Sequence, residues 1–318
     1  MESLEREFRE LKPKYERLAE NTANAIKQFI TERGIPSFDI EKRVKEEKSF
    51  IEKSIRKSYS QPFAQMEDIA GVRVICYYKE DLLEIDKIIK NNFTAISHSN
   101  KQEEKNSDQF GYLSNHHITK IKDEWLHAPN YRGLQELKIE IQVRTILMHA
   151  WAAISHKLLY KKQEDIPREF SRKLNRLSAL IELADEQFED IKQLKIDYQE
   201  NVNEFIEDPI NSDNFLAMMS GYFPNRSLKE SDIEHLLEEI RDNVTSLKDF
   251  ETRIKKCLPF LTRMEQEEYP NEKLPAWGLT GVARTILDLT SDQYWATRDL
   301  PHPYDVITTK YRKLINNN

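Results

Sequence analysis

Glycine is scarce, with seven in 318 residues. That scarcity, beside 32% charged and 39% hydrophobic residues, suits a helix-rich protein with long polar faces. Cysteine is scarcer still. Cys76 and Cys257 lie far apart in the chain, which argues against a disulfide framework or a zinc site. Cys76 sits in a segment expected to be a buried strand, where a thiol serves as a small core hydrophobe. No run approaches the roughly 18 apolar residues of a membrane span. The N-terminal stretch MESLEREFRELKPKYERLAE has no apolar signal-peptide core, so no membrane is expected and the cytoplasm is the expected location. Positive charge is not in excess: 48 Lys and Arg against 55 Asp and Glu give a net −7. A globally basic nucleic-acid binder is not expected, and a local basic patch stays open. There is no internal repeat and no low-complexity tract.

The most informative stretch is LKIEIQVRTILMHAWAAISHKLLY, from Leu137 to Tyr160. It opens as a strand, with Leu137, Ile139, Ile141 and Val143 alternating with Lys138, Glu140, Gln142 and Arg144. One face would be buried and the other would present an acid, an amide and a guanidinium together. It continues as a helix carrying His149, Trp151 and His156. On pattern alone a half-solvated sheet face backed by a buried Trp-His helix is the commoner explanation, since charge alternation on strands is frequent.

Upstream, residues 40 to 59 are rich in lysine and arginine. Ser49, Lys53 and Arg56 fall at i, i+4 and i+7 on one helix face, near a strand-borne Arg43 and Lys45. One-faced cations of this kind suit a triphosphate, although a charge run is more often a solvated face. Asp68 stands just before a strand in which Val72, Val74 and Cys76 face one way and Arg73 and Ile75 the other. A lone aspartate there is usually a turn or cap residue. Residues 80 to 91 read as an amphipathic helix and Phe93 to Ser99 as a further strand. A polar loop leads to GYLSNHHITKIK, where Gly111 permits a tight backbone and Tyr112 offers an aromatic plane before a strand starting at His116.

Taken in order, these motifs resemble the synthetase region of the RelA/SpoT-type nucleotide pyrophosphokinases, the small alarmone synthetases and their toxic relatives included. Asp68-Ile-Ala-Gly-Val-Arg73, Gly111-Tyr112-Leu-Ser114-Asn-His116 and Glu140-Ile-Gln-Val-Arg144-Thr145 with His149-Ala-Trp151 each match a family motif. So does the segment with Arg43, Lys45, Ser49, Lys53 and Arg56. The likeness covers roughly residues 40 to 190, and four motifs in sequence are a specific signal. The segment before Gly111 is acidic and amidic where many members are rich in proline and lysine, which leaves the acceptor-phosphate contacts open. No His-Asp doublet occurs, so the metal-dependent hydrolase domain of long members has no visible counterpart.

The resemblance implies an α/β fold: a nucleotidyltransferase-like mixed sheet of about five strands flanked by helices. It implies pyrophosphate transfer from ATP to the 3′-hydroxyl of GDP or GTP with release of AMP, or, in toxin-type members, transfer to the 3′-end of tRNA or to adenosine nucleotides. Asp68 and Glu140 would hold Mg²⁺, with Glu140 also placed to draw the hydroxyl proton. Arg43 and Arg73 would flank adenine, while Lys45, Ser49, Lys53 and Arg56 complete the ATP site. Tyr112 would stack the acceptor base, and Ser114, His116, Gln142 and Arg144 would orient its ribose or phosphates. A non-catalytic module that binds a nucleotide or a partner is the competing class, which the retained acidic, basic and aromatic residues argue against.

The synthetase domain is expected over residues 1–203. Residues 2 to 33 read as a long helix with an apolar stripe, and Pro167 starts another to about Tyr198. Beyond residue 204 the likeness ends, and Asp208-Pro209 with Asn211 reads as a linker. Residues 204–318 are expected to form a helical domain in which acids outnumber bases. Segments 232 to 243, 247 to 268 (interrupted at Pro259), 280 to 289 and 303 to 315 are its helices, and Ser231 with Glu234 forms a capping box. A regulatory partner, self-association or simple packing are the roles open to it.

Overall fold

The apolar stripe near the N-terminus folds as α1 (Glu2–Glu32). Phe8, Leu18 and Ile26 are fully buried, and so is Thr22, the polar interruption of the stripe. Pro13 lies within α1 without ending it; the carbonyl it cannot bond belongs to exposed Arg9. Gly34, at φ +66°, turns the chain out of the helix. The structure is a computed structural model describing residues 2–100, 115–158, 168–228 and 232–316. It comprises two units, residues 1–190 and 191–318.

In the first unit the chain continues through β1 (Ser37–Val44), α2 (Glu47–Arg56), short α3 (Pro62–Gln65), β2 (Ala70–Cys76), α4 (Lys79–Asn92) and β3 (Thr94–Asn100). Then follow β4 (Asn115–Lys120), β5 (Ile139–Thr145), α5 (Ile146–Leu158) and α6 (Arg168–Glu200), the last crossing into the second unit. The strands form one mixed sheet in the order β1-β2-β5-β4-β3. β2 and β5 are parallel and the other pairs antiparallel. This is the five-stranded, helix-flanked sheet expected from the sequence.

Period-2 alternation sorts the side chains. Val72, Val74 and Cys76 of β2 lie beside Ile139, Ile141 and Val143 of β5, all 2% exposed or less. They share one core with α1 and α4 residues, among them Phe8, Leu18, Ile85 and Ile89. The opposite face carries the polar residues. Full burial of six branched or thiol side chains, at about 1.5–3 kcal/mol for each large aliphatic, fixes the register, since a one-residue slip would exchange the two faces. α5 departs from expectation. Its buried residues are Met148 and Ser155, seven apart, while His156 is exposed and Trp151 only partly covered. The helix meets the sheet along a narrow edge and is not a buried Trp-His layer.

The second unit is helical: the end of α6, then α7 (Ser212–Tyr222), α8 (Ile233–Arg241), α9 (Leu247–Glu268), α10 (Leu279–Thr290), α11 (Asp292–Ala296) and α12 (Tyr304–Asn316). Phe215, Leu236, Phe250, Ile254, Ile286 and Tyr311 are among the residues of its own core. Asn211, expected in a linker, is the N-cap of α7, its side chain accepting from the backbone N–H groups of Asp213 and Asn214. Pro259 does not interrupt α9, because the carbonyl four residues earlier belongs to exposed Lys255. Ser231, of the expected capping box, lies outside the described residues. Among the described residues no helix is long and apolar enough to cross a membrane.

Candidate active site

The polar sheet face is built from two rungs that run across four strands. Glu41 of β1, Arg73 of β2, Gln142 of β5 and His116 of β4 are register partners in turn. The next rung is Arg43, Gly71, Glu140 and Ile118. The Arg43 side chain crosses over Gly71, passing 3.7 Å from where a Cβ would stand, an ordinary contact distance. A cleft of about 430 Å³ opens over these rungs, lined by Glu41, Arg43, Gly71, Arg73, Glu140 and Gln142 with their β1 and β2 neighbours. That volume falls in the range of small-ligand sites.

Glu140 lies at the centre of the network. His116 Nδ1 is 2.7 Å from its Oε1, and Gln142 Nε2 donates to its Oε2 at 2.9 Å. Arg144 Nη2 donates to Gln142 Oε1 at 2.5 Å, and Arg73 Nη1 donates to Glu41 Oε2 at 2.6 Å. Burial alone would raise the Glu140 carboxyl, and the nearby Asp68 charge acts the same way. The contacts from His116 and Gln142 outweigh both and hold it below the usual range, so it is anionic.

Asp68, just ahead of β2, receives the cations of the basic segment. Its Oδ2 lies 2.8 Å from Lys53 Nζ and 3.0 Å from Lys45 Nζ. Burial pushes this carboxyl up, but the two lysines hold it below its ordinary value. Lys53 reaches it from α2, a helix anchored by buried Phe50 and Ser54. Ser49 and Arg56 share the Lys53 face and are exposed.

Arg43 and Arg73 are close enough to act on Arg144. Burial first, and then the charges of Arg73 and Arg43, push the Arg144 guanidinium down, with Glu41 partly offsetting them. A guanidinium keeps its proton at neutral pH, so the repulsion of Arg144 by Arg73 and Arg43 is one that a bound polyanion would relieve.

Residues 42–165 match the family described as "Region found in RelA / SpoT proteins". The GTP pyrophosphokinase YwaC of Bacillus subtilis is 30% identical over 155 residues, covering 48% of this chain and 71% of that protein. The chain belongs to the RelA/SpoT family. A second relative, the GTP pyrophosphokinase YjbM of Bacillus subtilis, is 30% identical over 157 residues, covering 47% of this chain and 69% of its own. The solved structure of small alarmone synthetase 1 from Bacillus subtilis bound to its product pppGpp is 28% identical. It aligns with 58% of this chain and 95% of its own, at a TM-score of 0.50.

In RelA/SpoT terms the structure brings Arg43, Arg73, Glu140 and Gln142 to one cleft, with Arg144 and His116 bonded to its floor. Lys45 and Lys53 meet at Asp68. Tyr112 and Ser114 lie outside the described residues. Glu41 was not singled out from the sequence, where it is embedded in a basic segment. Its alternation with Arg43 along β1 is the signal that would have found it. His149 lies 4.0 Å from Glu41, and its Nδ1 is buried with no hydrogen-bond partner among the described residues. Burial and the flanking Arg73 and Arg144 lower its pKa, against the pull of Glu41.

The donor set suits Mg²⁺. Asp68 Oδ1 is buried and has no hydrogen-bond partner among the described residues, and Asp68 is near enough to Glu140 to raise its pKa. Two hard carboxylates, completed by substrate phosphates, are the usual protein share of a Mg²⁺ site.

Proposed function

We propose that this protein is an ATP-dependent pyrophosphokinase that transfers the β,γ-pyrophosphoryl group of ATP to the 3′-hydroxyl of GDP or GTP, releasing AMP. The observation that carries the reading is the polar sheet face that gathers Arg43, Arg73 and Glu140 in one cleft, with Arg144 bonded to its floor and Asp68 near Glu140. The family membership and the names of the relatives support it.

The acceptor 3′-oxygen bonds to the β-phosphorus as the bond from that phosphorus to the α,β-bridging oxygen breaks, and AMP leaves with the bridging oxygen. The transition state is loose, with charge on the transferring oxygens and the leaving AMP, so positioning and cations do most of the work. Arg43 and Arg73 flank the adenine. Lys45 and Lys53 move from Asp68 to the phosphates, with Ser49 and Arg56 completing their side. Asp68 and Glu140 would then hold Mg²⁺, which would supply positive charge against the negative charge that develops on the phosphates. Gln142, Arg144 and His116 orient the acceptor, and Tyr112 and Ser114 complete its pocket. Glu140, anionic at the floor of the cleft, is placed to take the hydroxyl proton.

The test is purified protein with Mg²⁺, GDP and ATP labelled at the γ-phosphate. The reading predicts AMP in amounts equal to a labelled guanosine product. ADP with labelled phosphate, or no product at all, would overturn it.

A further inference from the structure

Behind the sheet, on the side away from the cleft, α4 places a carboxylate beside buried isoleucines. Asp86 is 7% exposed and lies among buried Ile85, Ile88 and Ile89. Its Oδ1 is 2.6 Å from His117 Nε2, and its Oδ2 accepts from Asn115 Nδ2 at 2.9 Å. His117 is itself only 2% exposed. Asn115 and His117 are i and i+2 on β4, so they project to the same side, and His116 between them projects to the other. His116 is the residue that meets Glu140 at 2.7 Å. One buried carboxylate therefore holds both neighbours of the side chain that reaches the central acid of the cleft.

We propose that Asp86 is a positioning residue for the acceptor side of this site, gripping β4 through Asn115 and His117 so that His116 is aimed at Glu140. The inference rests on the transferase reading given above. A buried carboxylate is costly unless its oxygens are bonded, and apolar side chains would fill the same layer at less cost. What the carboxylate adds is direction. β4 already pairs with β3 and β5 through its backbone, and two directional bonds from alternate residues add a side-chain tether near His116 that apolar contact does not supply. Rotation of this strand would swing His116 away from Glu140 and loosen one of the two bonds that orient that acid.

The test uses the full chain labelled with ¹⁵N-histidine, as wild type, Asp86→Asn, His116→Ala and the double variant. In Asp86→Asn the His116 imidazole ¹⁵N shifts, read at one fixed pH, are expected to move. The kcat/KM for the guanosine acceptor should fall about tenfold or more while the KM for ATP stays within about twofold. In the His116→Ala background the same change should cost nothing further, because its effect passes through His116. His117→Gln, which keeps a donor towards Asp86, should retain most of the acceptor kcat/KM. Unmoved His116 shifts, equal losses for both substrates, or the same loss with and without His116 would overturn the proposal. Should Asp86→Asn fail to fold, Asn115→Ala removes one of the two bonds and is read by the same comparison. If the wild type transfers to no guanosine nucleotide, the proposed function fails, while the ¹⁵N shifts still decide the role of Asp86.

Discussion

Lys53 Nζ lies 2.8 Å from Oδ2 of Asp68, while Oδ1 of the same carboxylate is buried without a hydrogen-bond partner among the described residues. On the proposed function, one oxygen holds a cation meant for the triphosphate, and the other would accept the metal ion that arrives with it. Neutralising Asp68 should therefore remove both functions. Asp68→Asn or Glu140→Gln is expected to lower kcat by about 10³-fold or more while the far-ultraviolet circular dichroism stays that of the wild type. The double variant should be little worse than either single one, since residues that act as a unit are not additive. Near-normal turnover in either variant would remove that residue from the mechanism.

Lys53→Met tests the donor side. The lysine is partly buried against Asp68, so its loss leaves that carboxylate with Lys45 alone. The KM for ATP should rise about tenfold or more, and the KM for the acceptor should change little. Parallel changes in both would show that Lys53 supports the fold of the cleft and does not contact the donor.

Tyr112→Ala addresses the other substrate. Stacking on an aromatic ring is worth ~1–3 kcal/mol per base. Acceptor kcat/KM should fall by that amount, roughly 5- to 150-fold, with the ATP KM nearly unchanged. Equal losses for both substrates would make the tyrosine a structural residue.

The strand from Ile139 to Thr145 was legible because its alternation is uninterrupted, and the structure does put Glu140, Gln142 and Arg144 on one face. The mixed sheet followed from the motifs it carries. Two parts of the site were harder to see. Glu41 is an acid inside a basic segment, and only its register opposite Arg73 shows that it belongs to the cleft. Asp86 sits on an amphipathic helix, where an acid reads as part of the solvated face; its burial depends on β4 supplying Asn115 and His117 from elsewhere in the chain. In the second unit, Asn211 has the composition of a linker and the role of a helix cap. Local residue preference does not separate the two.

The second unit carries a pH dependence of its own. Burial pushes Glu268 up to about 7, helped by the charges of Asp288 and Glu265 and opposed by the hydrogen bond from Trp277 Nε1. A carboxyl raised in the fold binds a proton that the unfolded chain has already released. Its stabilising contribution is full below the unfolded value of 4.5 and is lost as pH rises to about 7. Glu268→Gln keeps an acceptor for Trp277 without the charge. At pH 8 it should raise the melting temperature of this unit by ~2–4 °C, and at pH 4 it should make no difference. No gain at pH 8 would show that Glu268 ionises in the fold at no cost.

The central claim is the identity of the acceptor. Purified full-length protein with Mg²⁺ and γ-labelled ATP should be offered GDP, GTP, AMP and deacylated tRNA together, at low and at moderate salt. The account predicts label on the 3′-position of GDP or GTP, with a modest salt response. Label on tRNA, falling steeply with salt as phosphate contacts are lost, or label on AMP, would contradict it.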